Sequence, residues 1–203
     1  MSAAADDARD AAPVVLVLGD SLSAAYGLRV DRGWVSLFEQ RLRQQGYPHR
    51  VRNASISGET TRGALDRLEP ALKRHRPSIV IIELGANDGL RGQALEEMAA
   101  NLGEIVNLSR RHGASPLLLR MRLPPNYGPA YVEKFVAVYE GVGRDWNVPL
   151  SKFMLDGVSG DPRYIQDDGL HPNENAQPRI LENVWPAIEP LLRETRTAQM
   201  KSP

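Results

Sequence analysis

Short aliphatic runs alternate with longer stretches in which apolar residues recur at helical spacing. Four runs cover residues 14–18, 79–82, 117–119 and 148–150, and a further short strand is expected around Val51. A continuously apolar strand is buried on both faces, which is typical of a parallel sheet covered by helices. The alternation therefore predicts an α/β fold with about five parallel strands.

Amphipathic segments follow these runs and predict the helices. Apolar residues recur every three or four positions over 34–42, 64–72, 95–106 and 132–142. Thr60 or Thr61 can cap the second of these helices. A last helix is expected over 176–192, interrupted by Pro178 and Pro186, because proline lacks the amide proton of a helix interior.

The composition excludes several classes of function. The 203 residues include no cysteine, which excludes disulfides, thiolate metal sites and cysteine nucleophiles. Twenty-five basic residues balance 25 acidic ones, so no overall attraction to nucleic acid or to an anionic membrane is expected. No apolar run approaches the roughly 20 residues that a membrane-spanning helix needs, so no stable membrane anchoring is expected.

The ends of the chain differ from its middle. Residues 1–12 are small and acidic, without the basic start and apolar core of a secretory signal. We expect a flexible leader over 1–12, one domain over 13–195 and a tail over 196–203. The leader is compatible with a cytoplasmic chain, and equally with an exported chain whose signal has been replaced by a starting Met.

Polar and glycine-rich clusters follow the ends of the predicted strands. Residues 19–23, 53–59, 85–89 and 122–128 follow the first four strands, and 168–172 precede the last helix. Ligands of open α/β sheets bind beyond the carboxyl ends of the strands. The five clusters are therefore predicted to meet at one edge of the sheet and to form a site.

Three residues of these clusters suit acyl transfer. A serine hydroxyl such as Ser21 needs a base to take its proton. His171 is the natural base, because imidazole titrates near neutrality. Asp168, three residues earlier, can accept the Nδ1–H of that ring and stabilise the imidazolium. We predict Ser21, His171 and Asp168 as the catalytic residues.

An oxyanion hole is also predicted from these clusters. The backbone N–H groups of Ser21 and Gly58 and the side-chain amide of Asn87 can donate to a tetrahedral intermediate. Taken alone, clusters of this kind are more often a turn, a cap or the start of a helix. Their occurrence in order at one predicted edge favours catalysis.

The same blocks resemble those of the SGNH (GDSL-type) hydrolases. Residues 19–23, 53–58, 85–88 and 168–172 carry the resemblance, which extends from about Val14 to Leu192. It implies a three-layer α/β/α flavodoxin-like fold with strand order 2-1-3-4-5, a monomer, and no cofactor or metal. It also implies small-molecule and lipid substrates: acyl-CoA thioesters, lysophospholipids, and aryl or short alkyl esters.

The chain departs from the family pattern in two respects. The resemblance implies a periplasmic enzyme made with a cleaved signal, whereas this chain begins with the acidic leader, so a cytoplasmic location stays the alternative. Ala86 stands where some relatives carry a second glycine, a change expected to leave the Asn87 donor intact and to stiffen the following loop. That loop, residues 89–92, is hypothesised to move over a bound acyl chain.

The acyl pocket is predicted from apolar residues near the strand ends. These residues are also compatible with a purely structural role in the core. The predicted substrate-binding residues are Leu22, Met121, Leu123, Pro124 and Tyr127.

Other features of the sequence have plain structural interpretations. The basic runs 73–76 and 110–112 are expected at helix ends, where cations complement the helix dipole, rather than on coenzyme A phosphates. His49, His75 and His112 are expected at the surface, and their spacing does not suit a metal site.

Two alternative functions stay open at this point. The first is a carbohydrate or small-molecule acetylesterase of the same superfamily. The second, from a different class, is a non-catalytic flavodoxin-like binding module, which would not need a serine, a histidine and oxyanion donors at one edge. The Gly-x-Ser-x-Gly elbow of the α/β-hydrolases is absent from the sequence.

Overall fold

Five parallel strands form one sheet in the order β2-β1-β3-β4-β5 in the computed structural model, which describes residues 12–200. The strands are β1 (Val14–Gly19), β2 (Arg50–Asn53), β3 (Ile79–Glu83), β4 (Ser115–Arg120) and β5 (Leu150–Phe153). The central strands β1 and β3 are buried along their whole length, as their uninterrupted aliphatic sequences require. The predicted fold class and strand order are confirmed.

Helices cover both faces of this sheet. They are α1 (Trp34–Gln44), α2 (Thr61–His75), α3 (Ala86–Leu90), α4 (Leu95–Arg111), α5 (Pro129–Asp145) and α6 (Gln177–Met200). Helices α1 and α6 pack together as one layer, and α2, α4 and α5 form the other. Three short 3-10 helices lie at Val30–Arg32, Pro125–Tyr127 and Glu174–Ala176.

The boundaries predicted from the sequence hold for most elements and fail for three. Strand β5 begins at Leu150, later than predicted, and the buried Val148 belongs to the turn before it. The five-residue helix α3 was not predicted, because its sequence reads as a turn. Helix α6 is continuous through Pro186, and Pro178 lies in its first turn, where no amide proton is needed.

The termini are described only in part. Residues 1–11 of the predicted leader and residues 201–203 of the predicted tail lie outside the described residues. Helix α6 continues to Met200. In the part of the chain that the structure describes, no helix combines the length and the apolar character needed to cross a membrane.

His49 is buried, so its predicted surface position is wrong. Only 4% of the residue is exposed, because Tyr47 and the end of α6 cover it. Its Nε2 lies 2.8 Å from Thr195 Oγ1, whose own proton goes to the Leu191 carbonyl, so Nε2 carries the proton. Nδ1 has no hydrogen-bond partner among the described residues. Burial, together with the positive charge of Arg196, lowers the pKa of His49 to about 4.

This histidine should make the fold sensitive to acid. Between pH 6.5 and 4 the unfolded chain binds a proton that folded His49 does not, so the free energy of unfolding falls as the pH is lowered. A loss of about 2–3 kcal/mol is expected between pH 7 and 4.5. Urea unfolding at pH 7 and pH 4.5 should show that the free energy of unfolding falls less for His49→Gln than for the wild type. His112→Gln, at the end of α4, is the control, and equal losses in all three proteins would contradict the assignment.

Candidate active site

A tight turn after β1 presents Ser21. The Asp20 carboxylate accepts the Leu22 N–H at 3.0 Å, and the Asp20 carbonyl accepts the Ala24 N–H at 2.9 Å. Gly19 is required at the start of this turn, since a Cβ there would lie 2.7 Å from Glu83 Oε2. The turn aims the Ser21 side chain into a cavity at the carboxyl edge of the sheet.

Ser21, His171 and Asp168 form a continuous chain of hydrogen bonds. His171 Nε2 lies 2.9 Å from Ser21 Oγ, and His171 Nδ1 lies 2.6 Å from Asp168 Oδ2. Because the carboxylate accepts the Nδ1 proton, the lone pair of Nε2 faces the serine hydroxyl. The structure thus brings the three predicted catalytic residues together, although 150 positions separate Ser21 from His171.

Asp168 is held as a carboxylate. Its Oδ1 accepts the backbone N–H groups of Leu170 and His171, both at 2.9 Å. Partial burial opposes ionisation, but these two hydrogen bonds and the one from the imidazole outweigh it and lower the pKa of Asp168 to about 2. The Asp168 carboxyl group therefore stays charged at neutral pH.

Two residues that the sequence reasoning did not single out hold the histidine in place. Gln166 Nε2 donates to the carbonyls of Tyr26 and Pro172, both at 2.9 Å, and its backbone N–H donates to the His171 carbonyl at 2.8 Å. The Tyr26 ring packs against the imidazole with 4.5 Å between ring centroids. Gln166 and Tyr26 thereby join the histidine loop to the nucleophile turn.

Gly58 lies in the loop that follows β2 and lines the same cavity as the serine. Asn53 Nδ2 donates to the Ser23 carbonyl at 2.7 Å, and the Ile56 N–H donates to the Gly19 carbonyl at 3.0 Å. These bonds attach the loop to the nucleophile turn. Gly58 has φ +78°, a left-handed conformation that favours glycine, and it lines the same cavity as Ser21.

Asn87 reaches the cavity from α3, and its Nδ2 donates to Asp20 Oδ2 at 3.0 Å. Gly85 permits the turn that leads to it, with φ +110°, and a Cβ there would lie 2.5 Å from the Tyr139 hydroxyl. The next residue, Asp88, is buried and accepts the backbone N–H and the hydroxyl of Thr61 at the start of α2. The predicted oxyanion donors Ser21, Gly58 and Asn87 therefore line one cavity.

Residues 89–92 were predicted to be a mobile loop, but Gly89 and Leu90 form the end of helix α3. Three hydrogen bonds tie this segment to neighbouring elements. Arg91 Nη2 donates to the Gly58 carbonyl at 2.8 Å. The hydroxyls of Tyr131 and Tyr127 donate to the carbonyls of Gly89 and Leu90, each at 3.2 Å. The segment 89–92 thus connects the Gly58 loop to α5 and to the 3-10 helix Pro125–Tyr127 before it.

The cavity has a volume of about 810 Å³ and a largely apolar wall. Four of the five predicted substrate-binding residues line it, namely Leu22, Met121, Leu123 and Pro124. Tyr127 does not line it, since its hydroxyl turns to the Leu90 carbonyl. The sequence reasoning missed the wall contributed by β5 and the loop after it, namely Phe153, Leu155, Ile165 and Leu170.

The described residues hold no group of three His, Asp or Glu side chains placed to bind a metal ion. The basic runs lie in the last turns of α2 and α4, as predicted. His171 is the one histidine of the described chain that lines the cavity. The groups that the site offers are hydroxyl, imidazole, carboxylate and amide groups.

A three-layer fold with strand order 2-1-3-4-5, and with a hydrogen-bonded serine, histidine and aspartate at its carboxyl edge, defines the SGNH class of hydrolases. The model of the GDSL-like Lipase/Acylhydrolase family matches residues 17–177. The chain belongs to this family, and it is a hydrolase of carboxylic esters and thioesters.

Curated relatives are similar over most of the chain. Esterase TesA of Pseudomonas aeruginosa is 50% identical over 182 residues, which cover 90% of both chains. The arylesterase of Vibrio mimicus is 42% identical over 87% of this chain and 88% of its own. Thioesterase 1/protease 1/lysophospholipase L1 of Escherichia coli K12 is 41% identical over 90% of this chain and 86% of its own.

Solved structures share the fold. A crystal structure of TesA superposes with a TM-score of 0.86 at 50% identity, covering 88% of this chain and 99% of its own. The psychrotrophic esterase EstA from Pseudoalteromonas sp., inhibited by monoethylphosphonate, superposes with a TM-score of 0.85 at 41% identity, covering 89% and 98%.

Proposed function

We propose that Ser21 is the nucleophile, His171 the general base and acid, and Asp168 the residue that orients the histidine. The observation that carries this assignment is the continuous hydrogen-bond chain of 2.9 Å and 2.6 Å that opens into the apolar cavity. Such an arrangement activates a hydroxyl that is otherwise a weak nucleophile.

In the first half of the reaction Ser21 Oγ attacks the acyl carbonyl carbon and its proton passes to His171 Nε2. The negative charge that develops on the carbonyl oxygen is stabilised by the N–H groups of Ser21 and Gly58 and by the amide of Asn87. The intermediate collapses as His171 returns the proton to the leaving alcohol or thiol. An acyl-enzyme on Ser21 results.

In the second half water replaces the leaving group. His171 takes a proton from the water, whose oxygen attacks the acyl carbon, and the same donors stabilise the second tetrahedral intermediate. Breakdown of this intermediate releases the carboxylic acid and returns the proton to Ser21 Oγ. No step requires a cofactor or a metal ion.

The substrates we propose are acyl-CoA thioesters, lysophospholipids, and aryl and short alkyl esters. The apolar wall of the cavity, which includes Leu123, Phe153, Leu155 and Ile165, supports an acyl chain as the part that is bound. The names of the Vibrio arylesterase and of the Escherichia coli thioesterase and lysophospholipase support the same range. We further propose a monomer in the periplasm, on the resemblance to exported members of the family.

A panel of substrates tests this assignment. We expect kcat/KM for p-nitrophenyl butyrate and longer esters to exceed that for the acetate, with activity on acyl-CoA and lysophospholipid as well.

Leu170 lines the cavity and is 41% exposed, so Leu170→Ser should lower kcat/KM on an octanoate ester by roughly tenfold and leave kcat/KM on the acetate ester unchanged.

Val30→Ser is the matched control for Leu170→Ser, since Val30 is an exposed apolar residue outside the cavity. Ser21→Ala supplies the blank for every substrate. Activity confined to acetate esters would favour the acetylesterase alternative, and hydrolysis by Ser21→Ala equal to the wild type would exclude Ser21 as the nucleophile.

A further inference from the structure

Two carboxyl groups lie buried directly behind the nucleophile. Asp20 precedes Ser21 and is 1% exposed, and Glu83, the last residue of β3, is fully buried. Gly19 of β1 pairs with Glu83 of β3, which places the two carboxyl groups side by side at the edge of the sheet. The proposed reaction uses neither of them directly.

The two carboxyl oxygens of Glu83 differ in the hydrogen bonds that they accept. Oε2 accepts the Asp20 N–H at 3.2 Å and the Ser23 hydroxyl at 2.7 Å. Oε1 is buried and receives no donor from the described residues. Because Asp20 donates its backbone N–H to this carboxyl group, the Asp20 side chain starts directly beside it. A proton on Oε1 would give this atom a partner, because it could donate to the Asp20 carboxylate.

Electrostatics places that proton on Glu83. Burial, and then the neighbouring charge of Asp20, raise the pKa of Glu83 well above its usual range. Burial also raises the pKa of Asp20, to about 6, against the opposing effects of the Leu22 N–H and of His171. The hydroxyl of Tyr139, which faces the pair from α5, has its pKa raised by burial and by both acids, so it stays neutral. At neutral pH Glu83 is a neutral acid and Asp20 a carboxylate.

The charge of Asp20 decides how the Asn87 amide is oriented. A carboxylate only accepts hydrogen bonds, so it must face the Asn87 NH₂ group and not its carbonyl oxygen. Oδ2 takes one N–H at 3.0 Å. The second N–H of the same group is then available to the cavity, where the oxyanion would form.

We propose that Glu83, in its protonated form, is a positioning residue that hydrogen-bonds the Asp20 carboxylate and thereby orients the Asn87 amide toward the oxyanion. The inference rests on the proposed role of Asn87 in the reaction. Glu83 itself touches neither the substrate nor the reacting atoms. Two charged carboxylates at this place would repel each other. Because Glu83 carries a proton, Asp20 can stay ionised and accept the hydrogen bond from Asn87.

Two substitutions at Glu83 separate this role from simple packing. In Glu83→Gln the amide oxygen can accept from Asp20 N–H and Ser23, and the NH₂ group replaces the Oε1 proton as donor to Asp20. We expect kcat within about threefold of the wild type. Glu83→Leu fills the same space without a donor, and we expect kcat to fall about 10–100-fold with KM within twofold, a part of what an oxyanion donor contributes.

A direct readout of the amide accompanies the kinetics. The side-chain NH₂ resonances of Asn87, recorded on ¹⁵N-labelled protein, should keep their wild-type shifts in Glu83→Gln and move in Glu83→Leu. Thermal unfolding checks that both variants are folded. If Glu83→Leu does not fold, Asp20→Asn replaces it, and a fall in kcat without a change in KM is expected.

Equal losses of kcat in the glutamine and leucine variants would overturn the inference, and so would a folded Glu83→Leu with full kcat and unmoved Asn87 resonances. Failure of the proposed function would be seen separately, as hydrolysis retained by Ser21→Ala. The two failures are therefore distinguishable.

Discussion

Replacing Ser21 with alanine is expected to lower kcat on p-nitrophenyl butyrate by about 10⁴–10⁶-fold, the range seen when a triad nucleophile is removed. The variant keeps the cavity and the oxyanion donors, so it still binds the ester, but no acyl-enzyme can form. His171 then has only water to activate, and no hydroxyl is held 2.9 Å from its Nε2. KM should change little.

Ser78→Ala is the matched control for this experiment. Its hydroxyl donates to the Val14 carbonyl at 3.2 Å, at the amino end of the sheet and away from the cavity, so activity should be unchanged. A phosphonate ester provides the second readout, because it reacts covalently with an activated serine hydroxyl. Mass spectrometry should find one phosphonyl group on Ser21 in the wild type and none in Ser21→Ala. A label on another residue would contradict the assignment.

Replacing Asn87 with alanine should lower kcat by about 10²–10³-fold with little change in KM, because an oxyanion donor acts on the transition state and not on the bound ester. The substitution also leaves Asp20 Oδ2 without the donor at 3.0 Å. Steady-state kinetics on two esters with different alcohols should give the same loss, since the oxyanion forms in both halves of the reaction.

Asn107→Ala is the control, since its Nδ2 donates to Glu104 on the same helix, α4, and Asn107 does not line the cavity. Asn87→Asp adds a stricter test: a carboxylate in place of the donor would face the developing negative charge, so its loss should equal or exceed that of the alanine variant. A loss confined to KM in either variant would show that Asn87 binds the substrate without stabilising the oxyanion.

The sequence predicts the sheet well because a strand that is buried on both faces has an uninterrupted aliphatic sequence. Strands β1 and β3 must be aliphatic throughout, and both were predicted within a residue of their bounds. The bounds of strand β5 were predicted wrongly because only part of the strand is buried. Its sequence, Leu-Ser-Lys-Phe, is therefore not continuously aliphatic. Helix α3 was missed for a related reason, since five residues are too few for a helical period.

Some residues of the candidate site could be predicted from the sequence, and others could not. Residues next to a strand end, such as Ser21 and Asn87, can be placed from the strand alone, because parallel strands share one carboxyl edge. The hydrogen bond from Gln166 to the Tyr26 carbonyl joins residues that are 140 positions apart, so no local sequence pattern predicts it. The direction of Tyr127 likewise depends on the backbone of α3, with which its hydroxyl pairs.

The separation of the serine from its base has a consequence for biosynthesis. His171, the proposed base, is synthesised 150 positions after Ser21, when the segments of β1 to β4 are already complete. Asn183 of α6 donates to the carbonyls of Met154 and Asp156, at 2.9 and 2.8 Å, so the last helix also secures the start of the segment that leads to the histidine loop. In the proposed mechanism, hydrolysis therefore requires that the C-terminal part of the chain, with Asp168 and His171, has docked beside Ser21.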